Sequence, residues 1–410
     1  MAECDTPDLE MAESLQTPSR TRYVVLAFLC SLAFILYIDR VCIGKAAKDI
    51  EQDLGLSHTQ MGYIFGAFTI AYGMFEVVTG RWGDRFGSRG VLTRIVIWWS
   101  IFTALTGSIW KFSWDLGITI PLGFDRSWSL VFDSFLLMVV VRFLFGAGEA
   151  GALPNICRVL GRWFPLSERG FAQGSVICCM QLGGALAPVI ATYLIGFAGW
   201  RWAFVTFGLC GVVWVTIFYN WFHDDPATHP QVNDAELRHI TQGEQGSPAA
   251  DAHGAIPWKA VLSNRNVWLL GSVVMCGSFS SYMYMFWFPT YLQEGRGVDE
   301  ETAGWLAGLA LGGSTLGSFL GGYFSTAMIR WTGELRWSRR VTGFVAMTLG
   351  GVLLAASTWF DSPYIAAGCA ALASFAAFSQ QANWWQVTSE VSGPHVGAIF
   401  GLMNSLGVPG

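Results

Sequence analysis

The run LVFDSFLLMVVVRFLFGAGEAGAL, from Leu130 to Leu153, is apolar enough to cross a bilayer, yet it contains Arg142 and Glu149. A hydrocarbon core of ~30 Å takes roughly 20 largely apolar residues as helix. An ionisable group inside it costs about 2.5–3.5 kcal/mol even on the lenient insertion scale, so each one needs a reason. Seven residues are close to two helical turns, which sets Arg142 and Glu149 on one face, about 10 Å apart along the axis. One guanidinium and one carboxylate therefore leave the same span in the same direction. A charge that cannot deprotonate suits an anionic substrate, and a carboxylate in a low-dielectric wall suits proton coupling.

Outward from this run, comparable spans recur at 23–44, 59–80, 91–110, 168–196, 200–221, 265–292, 300–328, 340–359 and 363–389, with another beginning near Val396. Fifteen helical residues rise only ~22 Å, so the sequence reads as ending inside the membrane. Composition agrees with a polytopic protein. Charged residues make up 13%, against ~25% in a soluble domain, while hydrophobic residues reach 53% with 48 Gly and 20 Trp. Small residues allow close helix packing and Trp marks membrane interfaces. Disorder, collagen-like repeats and a basic nucleic-acid binder are excluded, the net charge being -5. Nine Cys, mostly in or beside apolar runs, read as packing residues and not as a disulfide framework. Met1 to Gln16 is acidic, and no small-residue cleavage site follows the first apolar run, so no signal peptide is expected.

Lys and Arg set orientation. The side that holds Arg20, Arg22, the Arg81 to Arg94 loop, Arg158, Arg162, Arg169 and the Arg330 to Arg340 loop is the basic one. The N-terminus is therefore expected in the cytoplasm. The predicted organisation is a tail over 1–22, a six-helix bundle over 23–222, a linker over 223–264 and a second bundle over 265–410 that holds spans seven to ten and the start of the eleventh. A weak repeat supports the halves: GRWGDRFGSRG (Gly80 to Gly90) and GGYFSTAMIRWTGELRWSRR (Gly321 to Arg340) each follow the equivalent span with a glycine turn and a basic loop. His223, His229, His239 and His253 are irregularly spaced in or near the linker, which favours a solvated connector over a metal site. The stretch from Lys111 to Ser129 reads as a surface loop, with a lid as the alternative.

Asp39 and Arg40 end the first apolar run and add a second pair of charges to Arg142 and Glu149. A structural alternative stands beside the functional one, in which Arg142 with Glu149, or Asp39 with Arg40, are buried pairs that only hold helices together. Glu76, four residues after Tyr72, is close enough to the basic loop to pair with Arg81 or Arg85. GAGEAG at Gly146 to Gly151 matches a dinucleotide fingerprint, but no strand precedes it and Glu149 would repel phosphate, so close helix packing is the better reading. No metal-ligand cluster, histidine box or G-x-S-x-G turn appears, so neither an enzyme nor a cofactor is expected.

Gly80, Asp84, Arg85, Gly87 and Arg89 resemble the signature loop of the major facilitator superfamily. RFLFGAGEAGALPNICRVLGRWFPLSERGFAQGS (Arg142 to Ser175) and APVIATYLIGFAGWRWAFVTFG (Ala187 to Gly208) are similar to its anion:cation symporter family, which includes galactonate, hexuronate and glucarate permeases and sialin. The resemblance implies an all-α polytopic membrane protein of two six-helix bundles with inverted repeats, rocking about a central site. The second bundle is incomplete here, because the family has two full helices after position 396. It implies a monomer in the cell membrane that imports an organic anion, such as a hexuronate or aldonate, with protons and without a cofactor or metal.

Carried over by position, Arg40 and Arg142 would bind the substrate carboxylate, with Asp39 and Glu149 as protonation sites. Gln181 and Asn383 would hydrogen-bond hydroxyls, and Tyr72 and Tyr282 would shape the cavity. The signature loop would act as a latch, with Asp84 facing the start of the eleventh span and Arg85 and Arg89 pairing with neighbouring loops. Ser325-Thr326 stands where the family often has Ser-Asp, so the second-half loop lacks the matching acid. A drug-exporter pattern, G-x(8)-G-x(3)-G-P-x(2)-G-G, is met only by Gly174, Gly183 and Pro188, which favours import over export. A non-transporting membrane protein is the remaining alternative.

Overall fold

The computed structural model describes residues 17–121, 127–241, 256–284, 288, 291–392 and 395–407. Apolar runs too long for strands become helices, and glycines end them. The first helix, α1 (Thr21–Leu54), stops at Gly55, which takes the left-handed conformation that a Cβ disfavours. α2 (His58–Phe86) starts with a capping box at Ser57 and Gln60, and Gly87 at φ 83° separates it from α3 (Ser88–Gly107). The fourth predicted span splits into α4 (Ser134–Glu149) and α5 (Ala152–Trp163), because Gly151 at φ 86° turns the chain between them. α6 (Leu166–Trp221) joins the fifth and sixth spans across a break at Gly199.

The second half holds α7 (Asp234–Thr241), α8 (Trp258–Ser263), α9 (Arg265–Tyr282) and α10 (Glu300–Thr332). It continues through α11 (Leu335–Ser357), α12 (Pro363–Ser379), α13 (Gln381–Val391) and α14 (Val396–Ser405). Among the described residues, eight helical segments are long and apolar enough to cross a membrane. The polytopic all-α reading holds, with one local exception. Part of the loop after α3 forms an antiparallel hairpin, β1 (Ser113–Pro121) with β2 (Ser127–Asp133), with an irregularity between Asp115 and Ile118.

Two main seams join the halves, α6 on α10 and α2 on α14, with α13 on α6 and α14 on α5 adding smaller contacts. Both depend on missing side chains. A Cβ on Gly80 would lie 2.1 Å from the Gly397 carbonyl oxygen, and one on Gly174 would lie 2.8 Å from that of Ser318. Small residues at such positions let backbones approach closely. Both seams converge at the end of the bundle that carries the Gly80 to Gly90 loop, called here the loop end.

The start of the linker differs from the expected solvated connector. Glu236 of α7 is fully buried and Ile240 and His229 nearly so. Arg22 of α1 holds Glu236 at 2.8 Å and Glu168 of α6 at 3.0 Å, and His239 meets Glu168 at 3.0 Å. A buried carboxylate needs such partners, so this segment is stapled to the first half. Burial, with the His223 ring beside it, holds the His229 imidazole below its ordinary range. His253 falls outside the described residues, and among those described no group of three ligands could hold a metal ion. The described cysteines are free thiols.

Candidate functional site

α1 continues well past Asp39 and Arg40, so both lie inside a helix and not at its end as the hydropathy implied. Consecutive helical residues point about 100° apart. Asp39 accordingly faces inward, 1% exposed, within the electrostatic reach of Arg142 and Glu149. Arg40 turns instead across to α4, where Nη2 and Nε donate to Glu149 Oε1 at 2.6 and 3.1 Å. The buried pair is therefore Arg40 with Glu149. Neither expected pairing forms, because neighbours on one helix diverge and residues two turns apart cannot touch.

Aromatic rings enclose both guanidinium groups. That of Arg40 lies 4.6 Å from the Tyr72 ring, 5.1 Å from Tyr37 and 5.2 Å from Phe68. That of Arg142 lies 4.3 Å from Phe145 and 5.4 Å from the same Phe68. A cation over a desolvated ring gains roughly 0.5–2 kcal/mol, which offsets part of the burial cost without using the N–H donors. Nε and Nη1 of Arg142, both oxygens of Asp39 and Oε2 of Glu149 have no hydrogen-bond partner among the described residues. Polar atoms buried this way are costly unless a ligand or proton meets them.

Phe68, Tyr72 and Glu76 recur every four residues along one face of α2, which is how a single helix serves both arginines. Neither Phe68 nor Tyr37 was singled out from the sequence, although the i, i+4 spacing of Phe68 and Tyr72 was the available signal. The glycines of GAGEAG pack helices, as expected. A Cβ on Gly146 would lie 2.5 Å from the Phe68 carbonyl oxygen, and one on Gly148 would lie 1.7 Å from the Trp98 ring.

Gln181 of α6 donates to Ser314 of α10 at 3.3 Å, spanning the halves. Gly184, one turn on, lies against the Tyr37 ring, so this contact is level with the Arg40 cage. Asn383 is elsewhere. It accepts from the Ser325 hydroxyl, eleven residues or about 16 Å along α10 from Ser314. There it stands near the loop-end seam, where Thr326 meets Gly170. Tyr282 closes α9, and its side chain lies outside the described residues.

Glu76 does not reach Arg81 or Arg85. It is fully buried and receives the Asn404 amide at 2.7 Å, with the Tyr72 and Ser405 hydroxyls each at 3.4 Å. Partners more than 300 residues away leave no local pattern to read.

At the loop end, Asp84 accepts from the Gly397 and Ala398 amides at 2.9 and 3.1 Å, and from Arg158 at 2.9 Å. The first amides of α14 are otherwise unsatisfied and carry the positive end of its dipole. Asp224 accepts from the Ser88 and Arg89 amides at 2.8 and 3.0 Å, and Arg89 donates to the Tyr219 carbonyl. Arg85 lies over the Phe86 ring at 5.3 Å.

Residues 29–409 match the family model described as Major Facilitator Superfamily. A probable sulfoacetate transporter of Cupriavidus necator is 32% identical over 95% of this chain and 85% of its own length. A probable galactarate/D-glucarate transporter of Bacillus subtilis is 28% identical over 94% and 82%. Among solved structures, a proton:xylose symporter matches with a TM-score of 0.69 at 15% identity, over 95% of this chain and 86% of that one. These relatives are transporters and not enzymes.

Proposed function

The chain belongs to the major facilitator superfamily, and on that premise we propose that it imports a small organic anion together with protons, alternating access by rocking its halves about the Arg40 to Glu149 cluster. The observation that carries this reading is the pair of oppositely charged groups, Asp39 and Arg142, buried with unpartnered polar atoms beside the Arg40–Glu149 pair. A purely structural cluster would satisfy those atoms, whereas an anion can take the Arg142 donors and a proton can neutralise Asp39 or Glu149. Protonation of Glu149 would also free Arg40 for the anion. Gln181 and Ser314 supply neutral donors for a hydroxyl, and Asp84 on the α14 amides is the latch of the closed loop end.

The substrate class proposed is a hydroxylated or sulfonated organic acid. Hexuronates and aldonates are the starting candidates, and sulfoacetate and D-glucarate, for which the relatives are named as probable transporters, extend the set. The basic loops support a cytoplasmic N-terminus and linker, and the proposed form is a monomer of the cell membrane. The halves correspond to residues 23–222 and 265–410, with 1–22 as the tail and 223–264 as the linker.

Proteoliposomes holding the full-length protein test the coupling. Glu149→Gln should abolish accumulation driven by an inward proton gradient while one-for-one exchange of labelled anion continues, since exchange moves no net proton. Gradient-driven uptake that survives in this variant makes Glu149 structural and sinks the coupling claim.

A further inference from the structure

Glu76 has no part in the cluster proposed to bind substrate, yet its setting is unlike that of a packing residue. It is a carboxylate with no solvent exposure, and two of its three side-chain partners, Asn404 and Ser405, belong to α14 in the other half. Ser405 also donates to the Gly73 carbonyl of α2 at 3.0 Å, and a Cβ on Gly401 would lie 2.7 Å from the Glu76 carbonyl oxygen. The third partner, Tyr72, points back into the first half, and the ring of that tyrosine lies under the Arg40 guanidinium. Glu76 thus touches the moving seam on one side and the Arg40 cage on the other.

Parting of α2 and α14 would strip Glu76 of both donors from the second half and leave only the Tyr72 hydroxyl. A buried carboxylate abandoned in this way is strongly unfavourable unless another donor replaces what it lost. Arg40 is close enough for its charge to act on Glu76. Its long side chain already reaches Glu149, and its guanidinium lies over the ring of Tyr72, whose hydroxyl donates to Glu76.

We infer that Glu76 is a switch carboxylate: with the seam closed it holds α14 through Asn404 and Ser405, and when the halves part it takes the Arg40 guanidinium in their place. The exchange draws Arg40 away from a bound anion as the loop end opens, which links opening to release. This rests on the alternating-access reading above.

The test is a distance measurement between spin labels carried by unnatural amino acids at Ser167 and Trp331, exposed positions that flank the α6–α10 seam at the loop end. Wild-type protein in nanodiscs should show a closed and an open distance. Glu76→Gln keeps the shape and a hydrogen bond to Asn404 but cannot pair with Arg40, so the open fraction should fall about tenfold. Asn404→Ala leaves Glu76 intact and weakens only the closed state, so the open fraction should rise about tenfold. A residue that merely clasps α14 would make both substitutions open the seam. Shifts in the same direction, or an Asn404→Ala protein that stays closed, overturn the switch even where the wild type opens and closes. Should Glu76→Gln fail to fold, Arg40→Gln takes its place: without the guanidinium that Glu76 takes up on opening, the open fraction should fall, whereas a residue that merely clasps α14 would leave it unchanged. A wild type with one distance at every pH and with or without a candidate anion overturns alternating access and the switch together.

Discussion

The two halves of the molecule bury polarity in different forms. In the first half, Asp39, Glu76, Arg142 and Glu149 are all at most 1% exposed and lie on α1, α2 and α4. Among the described residues of the second half, buried polar groups from Ser314 to Thr388 are hydroxyls and amides, apart from Arg339 at the start of α11. Formal charge deep in a bilayer is held where rings and opposite charges surround it. Neutral donors are enough where one half slides past the other, because a broken hydroxyl contact costs far less than a stranded ion. On the proposed function this contrast amounts to a division of labour, in which one half handles charge and the other supplies shape, hydroxyl contacts and a moving surface.

If charge recognition resides in the first half, the largest effect should come from Arg142→Lys. The ammonium keeps the charge but loses the planar fork and the stacking on Phe145 and Phe68. Binding of every transported anion should weaken by about 100-fold, equivalent to ~2.7 kcal/mol, measured by isothermal calorimetry in detergent. Unchanged affinity would remove Arg142 from the site and erase the contrast between the halves. A smaller effect tests the sliding surface itself. Gly80→Ala places a methyl 2.1 Å from the Gly397 carbonyl oxygen, so α14 must retreat and Asp84 lose its hold on the Gly397 and Ala398 amides. Uptake should fall about tenfold with the loop-end label distance increased. Gly90→Ala, in the same loop but with nothing within 4 Å, should transport as wild type. Equal loss in both variants would mean that the loop, and not the seam, is sensitive.

These contrasts were unevenly legible in the amino-acid sequence. Intramembrane charge is so expensive that Asp39, Arg40, Arg142 and Glu149 stand out in any hydropathy reading, and most spans follow from length and apolarity, although the one expected over 265–292 is not among the described helices apolar enough to cross a membrane. What periodicity could not supply was partner choice. Arg40 pairs with Glu149 across 109 positions, and Glu76 meets Asn404 across 328. Such contacts depend on which helices become neighbours, and no local pattern encodes that. Asn383 illustrates the opposite error. An amide in a long helix gives the right chemistry but not the depth, and its Ser325 contact lies about 16 Å along α10 from Ser314. The stapled start of the linker was likewise invisible, because Arg22, Glu168 and Glu236 look solvated until α7 folds against them.

The smallest expected effect sharpens the division most, because it concerns discrimination and not strength. Gln181 and Ser314 face each other at 3.3 Å with no formal charge between them. A neutral hydrogen bond contributes only about 0.5–1.5 kcal/mol net, so Gln181→Ala should weaken binding of a hydroxylated acid such as D-glucarate by roughly three- to tenfold. Sulfoacetate has no hydroxyl to offer that pair, and its affinity should stay within about twofold, since the Arg142 and Arg40 contacts are untouched. Competition of each compound against one labelled substrate in the same proteoliposomes reads the ratio directly. Arg142→Lys, by contrast, should weaken both compounds alike and leave their ratio unchanged. Were Gln181→Ala to weaken both equally, the amide would be acting on the anionic group or on the fold, and the second half would lose its role in reading hydroxyls.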